Sequence, residues 1–562
     1  MPIGSGKSSW LIGLLCLTGC SAAHHHAAAD REVYDIVARR EQQLFGRSSF
    51  FHVDTAYSTR DPKTIPPDEI IRDRFADGQR KLSLTDALGM ATANNRMLQM
   101  QREQLYLVAL DLTGTRHQFT FRATETSANL GINRDTDGGL DGDAALSLEL
   151  SRMFKGGGTL AAGLANDLVL TFGGKPKVPS ITLALTQPLL RGAGAEMAAE
   201  LLTQAEREVV YAIREFSYFQ KTFAVGVVTD YLRLLQSQDT VRNSYTNYRN
   251  LTEVRLRAEA MGEAQQLPRY QVDQARQREF GAREQYIASV ESYRTGLDEF
   301  KQLLGLPLGE RVELDPAALV EVQKLGLKPF TLDERDGYAT AIAHRLDVVN
   351  VIDQFEDAKR KVAVAANGLL PDLMLVSDAQ LANKFYSSFK PGQVSASAGL
   401  RLDLPLDRLP ERNAYRTSRI HFEKQLRVLA TTLDGVRESI RRDARSLEQA
   451  RQNYLIQQTA LALARQRVEV MPIQVELDPT TDIRDVLEAQ ADLVRVQNAV
   501  TEAMVDYHVT RLNLLKELGT LNVEGFQFWL RPQPLPGADK VSVNGAGGAL
   551  PEVVPPDQIF KN

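Results

Sequence analysis

Apolar residues recur at two different periods along this chain, and the switches between them lay out its organisation. Over residues 84–115, 196–304, 332–367 and 411–518 they return every three or four positions, with Arg, Glu and Gln between them and almost no Pro. That pattern predicts amphipathic helices. Within 411–470 the apolar positions are Ile420, Leu426, Leu429, Leu433, Val436, Ile440, Leu447, Leu455 and Leu461. Their uneven spacing fits a narrow coiled-coil seam better than the broad face of a globular helix. A helix of about sixty residues is roughly 90 Å long, so this pattern predicts long helices rather than a round domain.

Between the helices the period drops to two. In the run 394–404, Val394, Ala396, Ala398, Leu400, Leu402 and Leu404 share one face, and Ser395, Ser397, Gly399, Arg401 and Asp403 share the other. About eleven residues, apolar on one side and polar on the other, match a tilted strand of a membrane β-barrel. A partner is expected from Pro371 to Val376. In the first half Ile181, Leu183 and Leu185 alternate with Thr182, Ala184 and Thr186, and Phe119–Ile132 is expected to pair with them. Two further alternating runs, Ala144–Phe154 and Thr159–Phe172, flank Gly156-Gly157-Gly158 and read as an extra hairpin beyond the membrane. A soluble sheet with one wet face would alternate in the same way. The flanking long helices and the chain's beginning favour the barrel.

That beginning reads as an export signal: Lys7 in a short polar lead, then the apolar run Trp10–Leu17. It ends in Leu17-Thr18-Gly19-Cys20, which resembles the bacterial lipoprotein lipobox. Cleavage before Cys20 would leave its thiol to carry a diacylglycerol, and burying the acyl chains would tether the protein to a membrane at about 0.8 kcal/mol per CH₂. An ordinary signal peptide with a chance cysteine is the alternative. Cys16 and Cys20 are the only cysteines, so neither disulfides nor a thiolate metal site holds the body. Residues 21–29 read as a small-residue spacer, in which His24-His25-His26 lack the further ligands a metal site needs. A short charged helix is expected over 31–45, then an extended segment through Pro66-Pro67.

The charge balance is 66 Lys+Arg against 71 Asp+Glu, a net charge of −5 with the signs interleaved. A nucleic-acid binder needs a basic face, which this chain does not offer. No stretch reaches the roughly 18 uninterrupted apolar residues of a spanning helix, which excludes a polytopic transporter. His52, His117, His344, His421 and His508 are scattered without metal spacing or a nucleophile beside them, and no phosphate-binding glycine loop occurs. Neither an enzyme nor a resident cofactor or metal is expected.

The two halves read as one repeat written twice. Val272-Asp-Gln-Ala275 parallels Val486-Leu-Glu-Ala489, and Leu303-Leu304-Gly305 parallels Glu517-Leu518-Gly519. Pro188-Leu-Leu-Arg191 mirrors Pro405-Leu-Asp-Arg408 at the passage from strand to helix. The expected divisions are a signal peptide over 1–19, an anchored segment over 20–83 and a first repeat over 84–305 with its barrel hairpin at about 119–188. A linker follows over 306–331, then a second repeat over 332–519 with its hairpin at about 371–404. A Pro- and Gly-rich tail occupies 520–562.

From about Leu84 to Leu521 this pattern resembles the TolC family of outer-membrane efflux proteins. The sharpest stretches are Thr480–Gln490 with Leu512–Asn522, and Leu183-Ala-Leu-Thr-Gln-Pro-Leu-Leu-Arg-Gly192. The resemblance implies a mainly α fold with a membrane β-barrel portion. Long antiparallel coiled-coil helices would form a periplasmic tunnel, and each protomer of a homotrimer would give four strands to one twelve-stranded barrel. It implies a lipid-anchored protein of the outer membrane that reaches into the periplasm. Its partners would be a periplasmic adaptor (membrane fusion) protein and an inner-membrane pump of RND, ABC or MFS type. On the same ground Asp485 and Glu488 occupy the positions of the gate acids, with the uncharged Gln271 and Gln274 as their counterparts in the first half. The helix-turn-helix tips near Met261, Gly262 and Glu263 and near Gln474 would meet the adaptor, although both lack the family's Arg-Tyr-x-x-Gly tip motif. A periplasmic coiled-coil scaffold without a pore would account for the helices but leaves the strand at 394–404 unexplained.

Overall fold

The computed structural model describes residues 22–49, 51–75, 77–134, 140–171, 180–327, 332–382, 394–404, 406–477, 483–523 and 528. Helix α1 (Ala22–Phe45) leads through a short 3-10 turn to α2 (Pro67–Arg74) and strand β1 (Gln79–Leu82). The first repeat opens with α3 (Leu84–Asn94) and α4 (Arg96–His117), followed by β2 (Arg122–Arg134), β3 (Leu140–Met153), β4 (Thr159–Thr171) and β5 (Ser180–Pro188). It closes with α5 (Glu200–Glu263) and α6 (Arg269–Leu303). After β6 (Arg311–Leu314) and α7 (Ala317–Leu325), the second repeat runs α8 (Glu334–His344), α9 (Leu346–Asn367), β7 (Asp372–Ala382) and β8 (Val394–Asp403). It ends with α10 (Leu409–Leu477) and α11 (Ile483–Glu517).

The duplication appears as matched lengths: α3 and α8 have 11 residues each, α4 and α9 have 22, and α6 and α11 have 35. Both repeats break the opening helix pair at one residue, Asn95 or Arg345, that leaves helical conformation. Asn95 caps the next helix by accepting from the Leu98 N–H at 2.9 Å, and its amide donates to Leu303 O at 2.7 Å. Gly305 and Gly519, at φ 72° and 73°, lie directly over these breaks. A Cβ would stand 2.6 Å from Asn94 O at the first and 2.5 Å from the His344 carbonyl carbon at the second. Only glycine fits both the backbone angle and the approach, which is why Leu-Gly closes each repeat.

The chain divides into two compact units, each assembled from three separate stretches. In the unit made of 54–101, 217–349 and 431–562, β1 and β6 pair in parallel and their Leu82, Val312 and Leu314 join one large apolar core. Tyr231 is completely buried there; its hydroxyl lies 2.8 Å from Leu82 O and 2.9 Å from Asp315 O. The stretch 306–331 is thus more than a linker, because β6 and α7 help build this core through Ala318 and Val322. Leu521 and Phe528 of the expected tail are buried in it too, and 529–562 lie outside the described residues.

In the other unit, made of 1–53, 102–216 and 350–430, α1 buries Val33, Ile36 and Val37. Its Tyr34 ring packs edge-on against Phe51 at 6.1 Å and Tyr106 at 6.0 Å. The helix starts at Ala22, so His24–His26 belong to it rather than to a flexible spacer. A run of alanines around the histidines carries helix propensity enough to extend the charged segment backwards. Across α5 and α9 runs a ladder of ion pairs. Asp357 is almost fully buried and takes Arg207 Nε at 2.5 Å, Arg360 Nη1 at 3.0 Å and the Tyr211 hydroxyl at 2.6 Å.

The same unit holds one sheet of six strands in the order β2-β3-β4-β5-β7-β8, every pair antiparallel. Two expectations change here. β5 pairs with β4 and β7, so Phe119–Ile132 does not lie beside Ile181–Thr186. The β3–β4 hairpin is not an appendage to the sheet but the middle of its first half, so six strands stand where the resemblance implied four. The turn after β3 accounts for this. Gly157, at φ 91°, faces Gly192 O at 2.8 Å from where a Cβ would be, and Gln187 donates to Gly156 O at 3.1 Å. The hairpin therefore turns at the end of the sheet where β5 passes into helix.

Candidate functional site

The register of the sheet sorts its residues into two faces, because residues paired across antiparallel strands point to the same side. One row runs Val394, Leu381, Ile181, Leu164, Leu148, Thr126 across all six strands. The next runs Ala396, Ala379, Leu183, Ala162, Leu150, Ala123. On this face Leu150, Leu164, Ile181, Leu183, Val394 and Leu400 are 40–67% exposed, an unusual state for six large apolar side chains on one surface. The opposite face carries Ser395, Gln380, Thr182, Gly163 and Glu149 in one row, and Ser397, Asp378, Ala184, Ala161, Ser151 and Arg122 in the next. At the helical end of the apolar face, the Arg152 guanidinium sits over the rings of Phe121 at 5.1 Å and Phe154 at 5.4 Å. Aromatic rings and a snorkelling cation at that level suit a boundary between lipid and water.

β8 has 10 residues, enough at a tilt of about 40° for a height of about 25 Å, which is that of an outer-membrane barrel's apolar band. Within one chain β2 and β8 form the sheet's two edges, each with a row of backbone groups facing no strand.

In the other unit α11 begins at Ile483, so Asp485 stands in its first turn and Glu488 in its second. Ile483 and Leu487 pack with Leu251, Ala258, Ala275 and Ala282 of α5 and α6. At 100° per residue, positions 485 and 488 fall on the side of α11 roughly opposite that contact. Asp485 is half-buried and Glu488 exposed. In the first repeat Gln271 donates to the Tyr270 hydroxyl at 3.1 Å, and Gln274 Oε1 is buried without a hydrogen-bond partner.

The first tip is the end of α5. Met261 and Gly262 are half-buried and Glu263 is exposed. The chain turns through Gln265, the one residue other than glycine with positive φ among the described residues. A Cβ on Gly262 would come within 2.8 Å of Val272 Cγ2, so this glycine lets the two helices close on each other. Gln474 lies in the last turn of α10, its side chain outside the described residues, as are residues 478–482 of the second tip. Cys20 and the signal segment also fall outside them.

Sequence reasoning missed β3 and β4 as members of the same sheet as β5. Their signal was present, since Leu148, Leu150, Leu160 and Leu164 alternate in phase with the neighbouring strands. It also missed the buried ladder at Asp357, because charges on a helix read as a solvated face until the partner helix is known.

No protein-family model matches the chain, and no curated protein does. Among solved structures it is similar to the Campylobacter jejuni CmeC outer membrane channel, at 13% identity and TM-score 0.57 over 78% of this chain and 85% of that one. It is also similar to the outer membrane protein VceC of Vibrio cholerae, at 14% and 0.56 over 78% and 96%. The open state of the Neisseria gonorrhoeae MtrE outer membrane channel matches at 12% and 0.57, over 78% and 88%. The chain has the TolC-like fold of these outer-membrane channels, a helical body with a β portion.

Proposed function

We propose that this protein is the outer-membrane duct of a tripartite export system, conducting solutes passively from an inner-membrane pump and its periplasmic adaptor to the exterior. The observation that carries the proposal is the sheet: one exposed apolar face of membrane height, one polar face, and two open edges. In lipid each unpaired backbone group costs several kcal/mol, so such a sheet is stable only when other copies close it into a ring. The fold shared with outer-membrane channels favours a trimer. Exposed seam residues such as Ile420 and Leu426 on α10 leave apolar surface for a neighbouring copy to cover.

No bond is made or broken; the mechanism is the opening and closing of a helical tunnel, with Asp485 and Glu488 as gate acids. One of the similar channels is described in an open state, which suits a fold that changes aperture. Cys20 carries the lipid, and the tips at Met261–Glu263 and near Gln474 meet the adaptor. Charge substitutions at Glu263 or Gln474 are expected to reduce export while leaving assembly intact.

Membrane fractionation tests the central claim. The protein should stay in the outer membrane through a carbonate wash and migrate differently in gels with and without boiling. Release by carbonate would leave the pore-free periplasmic scaffold as the better account. Labelling with a radioactive fatty acid should mark the wild type and not Cys20→Ala; label on both would remove the anchor assignment.

A further inference from the structure

From the six-stranded sheet we infer that the barrel this chain builds has eighteen strands, half as many again as the twelve its fold relatives' resemblance implied. The inference rests on the trimer proposed above and deepens it by fixing the width of the pore.

Three observations place β3 and β4 inside the membrane wall. First, the pairing is extensive: β3 meets β2 from Arg122↔Ser151 to Arg134↔Leu140, with one bulge at Thr124, and meets β4 without interruption from Met153↔Thr159 to Asp141↔Thr171. From the level of Thr186 at the helical end both strands run past the described far ends of β5, β7 and β8, so the hairpin covers nearly the whole height of those strands. Second, the apolar rows cross it unbroken. Leu148 and Leu150 of β3, and Ala162 and Leu164 of β4, lie on the face that carries Ile181 and Leu183 of β5 and Val394 of β8. Glu149, Ser151 and Gly163 lie on the polar face. A hairpin standing in water would have no reason to keep lipid-facing residues in phase with strands that touch lipid. Third, its turn is fixed at the helical end of the sheet. Phe154 N–H donates to Gly158 O at 2.7 Å, Gln187 donates to Gly156 O at 3.1 Å, and Met153 N–H donates to Gln118 O at 3.4 Å, next to where α4 ends.

The edges then close without conflict. β2 runs away from the helical end and β8 runs toward it, so β8 of one copy meets β2 of the next antiparallel. An even strand number per copy is what permits this, and six satisfies it as four would.

The consequence is geometric. With strands about 4.8 Å apart and tilted by about 40°, twelve strands give a backbone diameter of about 24 Å and eighteen give about 36 Å. Lining side chains narrow each by about 10 Å, leaving a lumen about 25 Å across for this protein. The open cross-section of the wall more than doubles. Cargo far bulkier than a drug-sized solute passes such a barrel, and any size selection falls to the helical end.

Electron cryomicroscopy of the purified full-length assembly in lipid nanodiscs tests this by counting strands. Eighteen strands with β3 and β4 in the wall is the expected result. Twelve strands, with residues 140–171 folded outside the bilayer, would overturn the inference and leave the channel proposal standing. Absence of any closed barrel would overturn both. Thiol labelling in outer-membrane vesicles gives a second reading. Leu150→Cys and Leu164→Cys should resist a water-soluble maleimide, whereas Glu149→Cys should react. Equal reaction at all three would place the hairpin in water and refute its membership of the wall.

Discussion

At the scale of single residues, two positions carry constraints that can be measured. Gly157 combines φ 91° with a neighbouring carbonyl oxygen 2.8 Å from where a Cβ would stand. Gly157→Ala must strain the turn or push β3–β4 away from the base of β5, at a cost of about 1–3 kcal/mol. The boiled-to-folded gel transition should move to lower temperature, while Gly156→Ala, which has open space around it, should leave it unchanged. His508 is the second. It is buried in α11 with Nε2 lacking a hydrogen-bond partner, and burial, then the positive charge of Arg511, lower its pKa to about 4. Above about pH 6.5 the ring is neutral whether the chain is folded or not. Below that the unfolded chain takes up a proton that the folded one refuses, so this residue's contribution to stability is lost as pH falls from about 6.5 to about 4. The loss is up to about 1.4 kcal/mol per pH unit. Acidifying from pH 7.5 to 5 should lower the unfolding midpoint of the wild type more than that of His508→Phe. Parallel pH curves would mean that the ring is hydrated.

At the scale of elements, the junction of α5 with α9 depends on Asp357, which holds Arg207, Arg360 and Tyr211 together. Burial, followed by the hydrogen bond to Asp357, pushes the Tyr211 hydroxyl's pKa well above its ordinary value, so it stays a donor at any physiological pH. Asp357→Ala leaves Arg207 with Asp353 and Arg360 with Glu200 as their remaining carboxylates but strips the buried Tyr211 hydroxyl of its acceptor, and should cost about 1–3 kcal/mol. Tyr211→Phe removes one hydrogen bond and should cost about 1–2 kcal/mol, read as denaturant midpoints. The helices themselves were legible in the sequence, since a 3.6-residue period over α10 or α11 needs no knowledge of the partner. The breaks at Asn95 and Arg345 were not, because they are set by the close approach of Gly305 and Gly519 from the far end of each repeat. The strands were legible one at a time but not their order. Alternation says which side of a strand is apolar and nothing about its neighbour, and the placement of β3–β4 was decided by the docked turn at Gly156–Gly158.

At the scale of the whole molecule, the gate role proposed for the acids on α11 depends on symmetry. In one chain Asp485 and Glu488 sit in the opening turns of a helix, where carboxylates favourably meet the helix dipole and need no further purpose. In the proposed trimer three copies bring six carboxylates round one axis, and two charges about 6 Å apart repel by roughly 0.7–3 kcal/mol, depending on how much water screens them. A ring of this kind concentrates cations, admits them ahead of anions and binds divalent ions. A mere pair of capping acids does none of these things. Gln271 and Gln274 occupy the matching places in the first repeat without charge, so the effect should come from one repeat alone. Planar-bilayer recordings of Asp485→Asn combined with Glu488→Gln are therefore expected to lose cation preference and divalent block, with cation conductance falling because the ring no longer concentrates cations. Because the eighteen-stranded wall would be far wider than this ring, the same double variant should alter ion selectivity without changing the polymer size excluded from the outer side. Unchanged selectivity and block would return both residues to the role of caps and move the gate elsewhere along the tunnel.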